Sequence, residues 1–109
     1  YLARANASFF TAQAHVSYLR ELSAGDPVYV TLQLIDVDTK RTHVFQQLRH
    51  AEQDYLSATS EQLHLHVDMA TKRVCQFPAD ILARLTDMKK SHAALPRDPC
   101  LGRSIGIPR

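Results

Sequence analysis

No stretch of this chain approaches the roughly 18 consecutive apolar residues that a membrane-crossing helix needs, and the residues from Tyr1 to Phe10 lack the charged-then-apolar pattern of an export signal. No run of Lys and Arg exceeds two residues, and the formal net charge is only +2. A basic stripe is thereby excluded, and with it nucleic acid or an acidic membrane as the main partner. The two cysteines, Cys75 and Cys100, have no CxxC spacing. They read as free thiols in a reducing cytoplasm, with a single bridge as the alternative. There is no GxSxG elbow, no P-loop and no GxGxxG turn, so neither a serine nucleophile nor a nucleotide cradle is indicated. No cofactor is implied. Internal repeats and low-complexity segments are also lacking.

What is present is a short chain of 109 residues with an ordinary balance of 45% hydrophobic and 22% charged residues, which is one domain or most of one. Such a chain buries a thin core. Residues 1–8 read as the close of a helix or a loop. From Phe9 a period of two sets in, with Ala12, Ala14, Val16 and Tyr18 alternating with Gln13, His15 and Ser17. The run Ser23-Ala24-Gly25-Asp26-Pro27 breaks it with a turn. Val28–Val37 is the strongest strand, with Val28, Val30, Leu32 and Leu34 on one face. Asp38-Thr39-Lys40 suits a short hairpin turn. Thr42–His50 and Leu56–Asp68 follow as strands, the second alternating Leu63, Leu65 and Val67 with Gln62, His64 and His66. Ala70-Thr71-Lys72-Arg73 reads as a turn and Val74–Phe77 as a short last strand. Pro78 then opens a helix of about four turns, with Asp80 near its start, Lys89, Lys90 and His92 near its end, and Pro96 as its stop. Ile81, Leu82, Leu85 and Met88 share one side of it. Residues 96–109 read as an extended tail docked by Leu101, Ile105 and Ile107.

The expected fold class is α+β: a meander of four or five antiparallel strands, then a helix. One amphipathic helix is too small to cover the apolar face of such a sheet, and a bare face invites aggregation or pairing. A covering helix ahead of Tyr1 is the expected remedy, so residues 1–95 read as the later part of a domain.

Three segments carry a resemblance. Gly25-Asp26-Pro27-Val28-Tyr29-Val30, the strand Ala58-Thr59-Ser60-Glu61-Gln62-Leu63-His64-Leu65-His66-Val67-Asp68, and Phe77-Pro78 before a helix follow one another in the order and spacing of hotdog-fold thioesterases. The resemblance covers roughly residues 9–95. It is strongest to the branch around 4-hydroxybenzoyl-CoA thioesterase, and within it to thioesterases of bacterial carnitine degradation that act on betainyl-CoA. It implies a sheet wrapped around a long helix, subunits paired into dimers or tetramers, and hydrolysis of a small acyl-CoA. It also implies that the water-activating carboxylate comes from an Asp segment followed by His-Val/Met-Asn. This sequence contains no such segment, so that base is expected before Tyr1. A non-catalytic acyl-binding or interaction module is the alternative.

Several residues are candidates for the chemistry. Glu61 falls, by alternation, on the face of Leu63, Leu65 and Val67. A carboxylate on an apolar face tends to a raised pKa and can act as a general base; a hydrated or Arg-paired strand-end acid is the other reading. The resemblance implies that Lys40, Arg41 and Thr42 meet the phosphates of CoA, a role that two cations and a hydroxyl at a turn can fill, although an ordinary solvated turn has the same composition. It also suggests Phe10, Tyr18 and Thr59 as pocket residues. Phe9, Phe10 and Tyr18 together offer aromatic faces for a trimethylammonium group, or simply packing surface. His64-x-His66 has a metal-ligand spacing, with His15, His43 or His50 as a possible third ligand, but structural zinc takes four. A solvent-facing or subunit-facing pair is the reading adopted, with no metal. Cys75, between Val74 and Phe77, reads as a small buried hydrophobe.

Overall fold

The computed structural model describes residues 7–102. Four strands form one antiparallel sheet: β1 (Ala7–Tyr18), β2 (Val28–Val37), β3 (Arg41–His50) and β4 (Leu56–Asp68), followed by one helix, α1 (Ala79–His92). The spatial order is β1-β4-β3-β2, so only β2, β3 and β4 form a meander. β1 lies on the far side of β4, and the sheet is not the simple succession of neighbours that the sequence suggests. The β1–β2 connection must therefore cross the end of the sheet. It is pinned there: the Leu19 and Arg20 amides donate to the Ser57 carbonyl, and Tyr55 donates its hydroxyl to the Glu21 carbonyl. Gly25 turns the chain with φ +88°, a conformation that costs glycine little.

The strand starts and turns follow local chemistry. β1 already includes Ala7 and Ser8, ahead of the alternation that becomes visible from Phe9. In the β2–β3 hairpin, the Asp38 carboxylate accepts from the Lys40 and Arg41 amides, the self-bonding that makes Asp a turn former. In the β3–β4 turn, His50 Nδ1 accepts from the Glu52 and Gln53 amides, and its ring stacks on Tyr55. Val74–Phe77 does not form a strand; a single bridge joins Val74 to Val67. Pro78 caps α1 rather than standing inside it, without a side-chain cap bond. Asp80 and the basic residues Lys89, Lys90 and His92 stand at the ends of the helix where its dipole favours their type.

Two bulges decide which side chains share a face. The register between β1 and β4 shifts between Thr11 and Gln13, and that between β2 and β3 shifts between Leu34 and Asp36. Each extra residue, Ala12 and Ile35, reverses the alternation beyond it. One face collects Val28, Val30, Leu32, Leu34, Val44, Val16 and Tyr18. The other collects Gln13, His15, Gln33, Asp36, His43, Phe45, Gln47, Glu61, Leu63 and Leu65. The apolar residues of β4 thus lie on the face opposite those of β2.

Residues beyond β4 occupy the second, mixed face. The last turn of α1 meets β2: Gln33 donates to the His92 carbonyl, and Lys89 pairs with Asp36 at 2.8 Å. The tail continues across the sheet, with Gln47 donating to Asp98, and Cys100 is buried. Leu101 is half-buried, while Ile105 and Ile107 lie outside the described residues. No residue of α1 is buried, so the helix covers little. The first face stays open among the described residues: Leu34 is 3% exposed, but Val30 is 58% and Tyr18 88% exposed. The expected uncovered apolar surface is therefore present.

Candidate functional site

The two bulges bring four polar side chains to one place. The bulge at Ile35 turns Asp36 onto the mixed face, where it is the register partner of His43. Beyond Ala12, His15 becomes the register partner of Glu61. β3 and β4 put Phe45 opposite Glu61 and Leu63 opposite His43, so His43 and Glu61 are diagonal neighbours, a spacing that long side chains bridge. His43 Nε2 lies 2.6 Å from Glu61 Oε2. On the other oxygen, the Gly102 amide donates at 2.8 Å. Arg41 and Asp38 stand at the hairpin end of the same cleft, which encloses about 510 Å³ between the β1 bulge, the β2–β3 turn and Gly102.

The electrostatics correct the reading of Glu61. Burial pushes its carboxyl up, but the Gly102 amide, the His43 hydrogen bond and the nearby His43 and His15 rings together outweigh it and hold it below the ordinary value. The expectation of a raised pKa fails because Glu61 does not stand among aliphatic side chains alone. Its neighbours include the His15 and His43 imidazoles, and a docked tail supplies an amide. Asp36 is also lowered, by its bond to Lys89 first and by the Val37 amide next. Asp38 is lowered chiefly by Arg41, whose guanidinium contacts it at 2.6–2.7 Å.

The other candidates are not all gathered here. Arg41 lines the cleft. Lys40 is exposed in the adjoining turn, whereas Thr42 is 4% exposed and faces the opposite side of the sheet, so the three do not share one surface. Phe10 and Thr59 do share the cleft's face, but Phe10 pairs with Leu65 and Thr59 sits six residues further along β4, about 20 Å away. Tyr18 is on the reverse face at the strand end, opposite Ala58. The proposed aromatic grouping is not formed: Phe9 and Phe10 are consecutive and face opposite ways, the β1 bulge puts Tyr18 on the face opposite Phe10, and Tyr18 lies at the far end of the strand from Phe9. Phe9 packs instead against His66 and Phe77, with centroids 5.8 Å apart in each case.

The two histidines of the HxH motif have separate partners. His64 contacts Gln62 Oε1 at 2.6 Å, and burial lowers its pKa. His66 is not solvent-facing: it is 1% exposed, its Nδ1 bonds the Cys75 carbonyl at 3.0 Å, and its ring packs on Phe77 at 4.5 Å. Among the described residues, no group of three or more His, Cys, Asp and Glu is placed to hold a metal. Cys75 is half-exposed, with its sulfur 3.4 Å from His66 Nδ1; the buried thiol is Cys100. His43 entered the sequence reading only as a possible metal ligand. Its pairing with Glu61 has one local signal, namely that each stands on a strand face shared with apolar residues, but the register that joins them is not visible in either segment.

An antiparallel sheet in the order β1-β4-β3-β2, with one apolar face open and a helix and tail against the other, is the outer wrap of a hotdog domain. Residues 1–85 match the thioesterase-like superfamily, and the chain belongs to that family. The betainyl-CoA thioesterase of Pseudomonas aeruginosa is 37% identical over 101 residues, which are 93% of this chain and 64% of that protein. The L-carnitine dehydrogenase/betainyl-CoA thioesterase of Rhizobium meliloti is 35% identical over 102 residues, 94% of this chain and 21% of that protein. A Staphylococcus aureus protein solved in complex with CoA superposes with a TM-score of 0.88 at 32% identity, covering 98% of this chain and 67% of that one. The chain thus spans only part of each of these relatives.

Proposed function

We propose that the protein carrying this chain is an acyl-CoA thioesterase that hydrolyses a small acyl-CoA, betainyl-CoA, to the free acid and CoA. The observation that carries the reaction type is one cleft holding a carboxylate–imidazole pair at its floor and a guanidinium at the adjoining turn. Arg41, with Lys40 beside it in the turn, attracts the phosphates of CoA. Glu61, paired with His43, is the candidate within these residues for the carboxylate that activates water, while the family resemblance implies a main one from an Asp segment that they do not contain. Water oxygen bonds the carbonyl carbon, the carbonyl electron pair moves onto oxygen, and collapse breaks the C–S bond. The sulfur leaves with the proton that water gave up, so the products are the acid and the CoA thiol. Backbone amides can stabilise the oxyanion. The choice of betainyl group is supported by the named activities of the two relatives above.

The assembly is proposed to be a homodimer or homotetramer. Among the described residues β1 pairs with β4 on one side only, and such an edge next to an open apolar face favours a second copy. No helix among the described residues is long and apolar enough to cross a membrane; a cytoplasmic location is proposed from the two unbridged thiols. The test is hydrolysis of betainyl-CoA by the intact protein, followed with a thiol reagent. Release of CoA supports the proposal. Tight binding of the thioester without release would leave an acyl-binding module instead.

A further inference from the structure

We infer that His66 is a positioning residue for the turn that grips CoA: it clasps the returning segment Val74–Phe77 against the β2–β3 hairpin and so fixes where Lys40 and Arg41 stand. The inference rests on the proposed role of that turn in binding the phosphates. His66 is 1% exposed, and the polar atoms of so buried a ring call for partners. Its Nδ1 lies 3.0 Å from the Cys75 carbonyl oxygen, with the Cys75 sulfur at 3.4 Å. A carbonyl oxygen only accepts, so Nδ1 carries the ring proton and donates it. The ring also packs on Phe77, with centroids 4.5 Å apart, and on Phe9 at 5.8 Å.

The backbone of the same residue joins the two pieces of chain. Its amide donates to the Lys40 carbonyl at 2.8 Å, and its carbonyl accepts from the Cys75 amide at 2.9 Å. The chain reverses at Asp68, whose carboxylate accepts from the Ala70 and Thr71 amides and whose own amide donates to the Arg73 carbonyl. Val74 then bridges Val67, and the Phe77 amide donates to the Thr39 carbonyl at 2.8 Å. Asp38 shapes the hairpin from within, but the ties on its Thr39 and Lys40 carbonyls run to Phe77 and His66. Lys40 is exposed, so its reach depends on where this backbone is held. Cations held in place bind an anion better than cations that must first be ordered. His66 follows Leu65 on β4 and so points to the face away from the cleft. It acts on CoA through the turn, not by touching it.

The test compares two substrates on the intact protein: betainyl-CoA, and the betainyl thioester of N-acetylcysteamine, which lacks the nucleotide and its phosphates. His66→Phe keeps an aromatic ring against Phe77 and removes the donor. It is expected to raise KM for betainyl-CoA about 5- to 10-fold with kcat within about twofold, the scale of one lost hydrogen bond felt in binding, and to change kcat/KM for the short thioester by less than about twofold. His66→Asn places an NH2 near the position of Nδ1 and is expected to bring KM back to within about twofold of the parent. An unchanged KM for betainyl-CoA in folded His66→Phe would overturn the role. So would equal losses on both thioesters, the mark of general damage to the fold, and so would His66→Asn behaving no better than His66→Phe. If His66→Phe does not fold, the same comparison on His66→Leu decides. Joint replacement of Lys40 and Arg41 by Ala keeps the two readings apart. If it leaves KM for betainyl-CoA unchanged, or if the parent releases no CoA, the role of the turn falls and the assignment with it. A raised KM there beside an unchanged KM in His66→Phe sinks the assignment alone.

Discussion

Replacing Glu61 by glutamine tests how the cleft is held, because the substitution keeps the shape and removes an acceptor. Two donors converge on the carboxylate, the Gly102 amide at 2.8 Å and His43 Nε2 at 2.6 Å. Glutamine offers one oxygen, and its other terminal atom is a donor. If that oxygen keeps Gly102, the new NH2 faces Nε2, and His43 must move its proton to Nδ1 to accept it. If the oxygen keeps His43, an NH2 meets the Gly102 amide and the tail loses its anchor. A hydrogen bond to a charged group contributes about 1.5–3 kcal/mol, and the Glu61 side chain is 19% exposed, so about 1–2 kcal/mol of stability is expected to go after screening. For a domain of this size each kcal/mol corresponds to about 4–8 °C in Tm. Either arrangement removes the Glu61 carboxylate from the pair, and if it activates water kcat is expected to fall about 10- to 100-fold, equivalent to about 1.4–2.8 kcal/mol of barrier.

The pH dependence follows with a definite sign. The folded Glu61 carboxyl lies below its ordinary value, because the Gly102 amide and the two imidazoles outweigh the opposing effect of burial. Its contribution is therefore fully present above the unfolded pKa, about 4.3, and is lost as pH falls through the folded value. The Tm difference between parent and Glu61→Gln should be widest near neutrality and should narrow on the acid side. The assays are thermal unfolding across pH and steady-state hydrolysis with a thiol reagent. An unchanged kcat in a normally folded variant would refute the assigned role, and a pH-independent Tm gap would refute the electrostatic account of the contacts.

Other outcomes follow from the same geometry. Phe45 is 3% exposed on the sheet's mixed face, and Phe45→Ala should destabilise by about 3–5 kcal/mol in denaturant titrations. His50→Ala removes the acceptor of two turn amides and should cost about 1–3 kcal/mol, again read by denaturant unfolding. Replacing Lys40 and Arg41 together by Ala should raise KM more than it lowers kcat, as expected for uniform binding of the CoA phosphates; the reverse pattern in steady-state kinetics would remove the turn from CoA recognition. Asp36→Asn, which breaks an exposed pair with Lys89, should shift unfolding by less than about 1 kcal/mol.

The sequence by itself determined the four long strands, their turns and the helix, though not the fate of Val74–Phe77, which makes a single bridge. Alternation from Ala12 to Tyr18 and from Val28 to Leu34, the Gly25-Asp26-Pro27 break and Asp38 in the hairpin are local signals, each set by side-chain period or backbone chemistry within a few residues. The open apolar face was legible for the same reason, and so was the likeness to the thioesterase family. Glu61 stood out as an unusual acid, but its electrostatic character did not follow from its own strand.

Only the tertiary structure decided sheet order, face and partners. β1 joins β4 rather than β2, because strand neighbours are chosen by the packing of the whole sheet. Ala12 and Ile35 reverse the alternation at two bulges, and an inserted residue looks like any other in a one-dimensional pattern. Those reversals separate Phe10 from Tyr18 and bring Asp36 beside His43. The chain's far end then supplies Gly102 to Glu61 across 41 residues of sequence. Contacts of that separation are fixed by register and docking, which depend on every strand at once and so are written in no single segment.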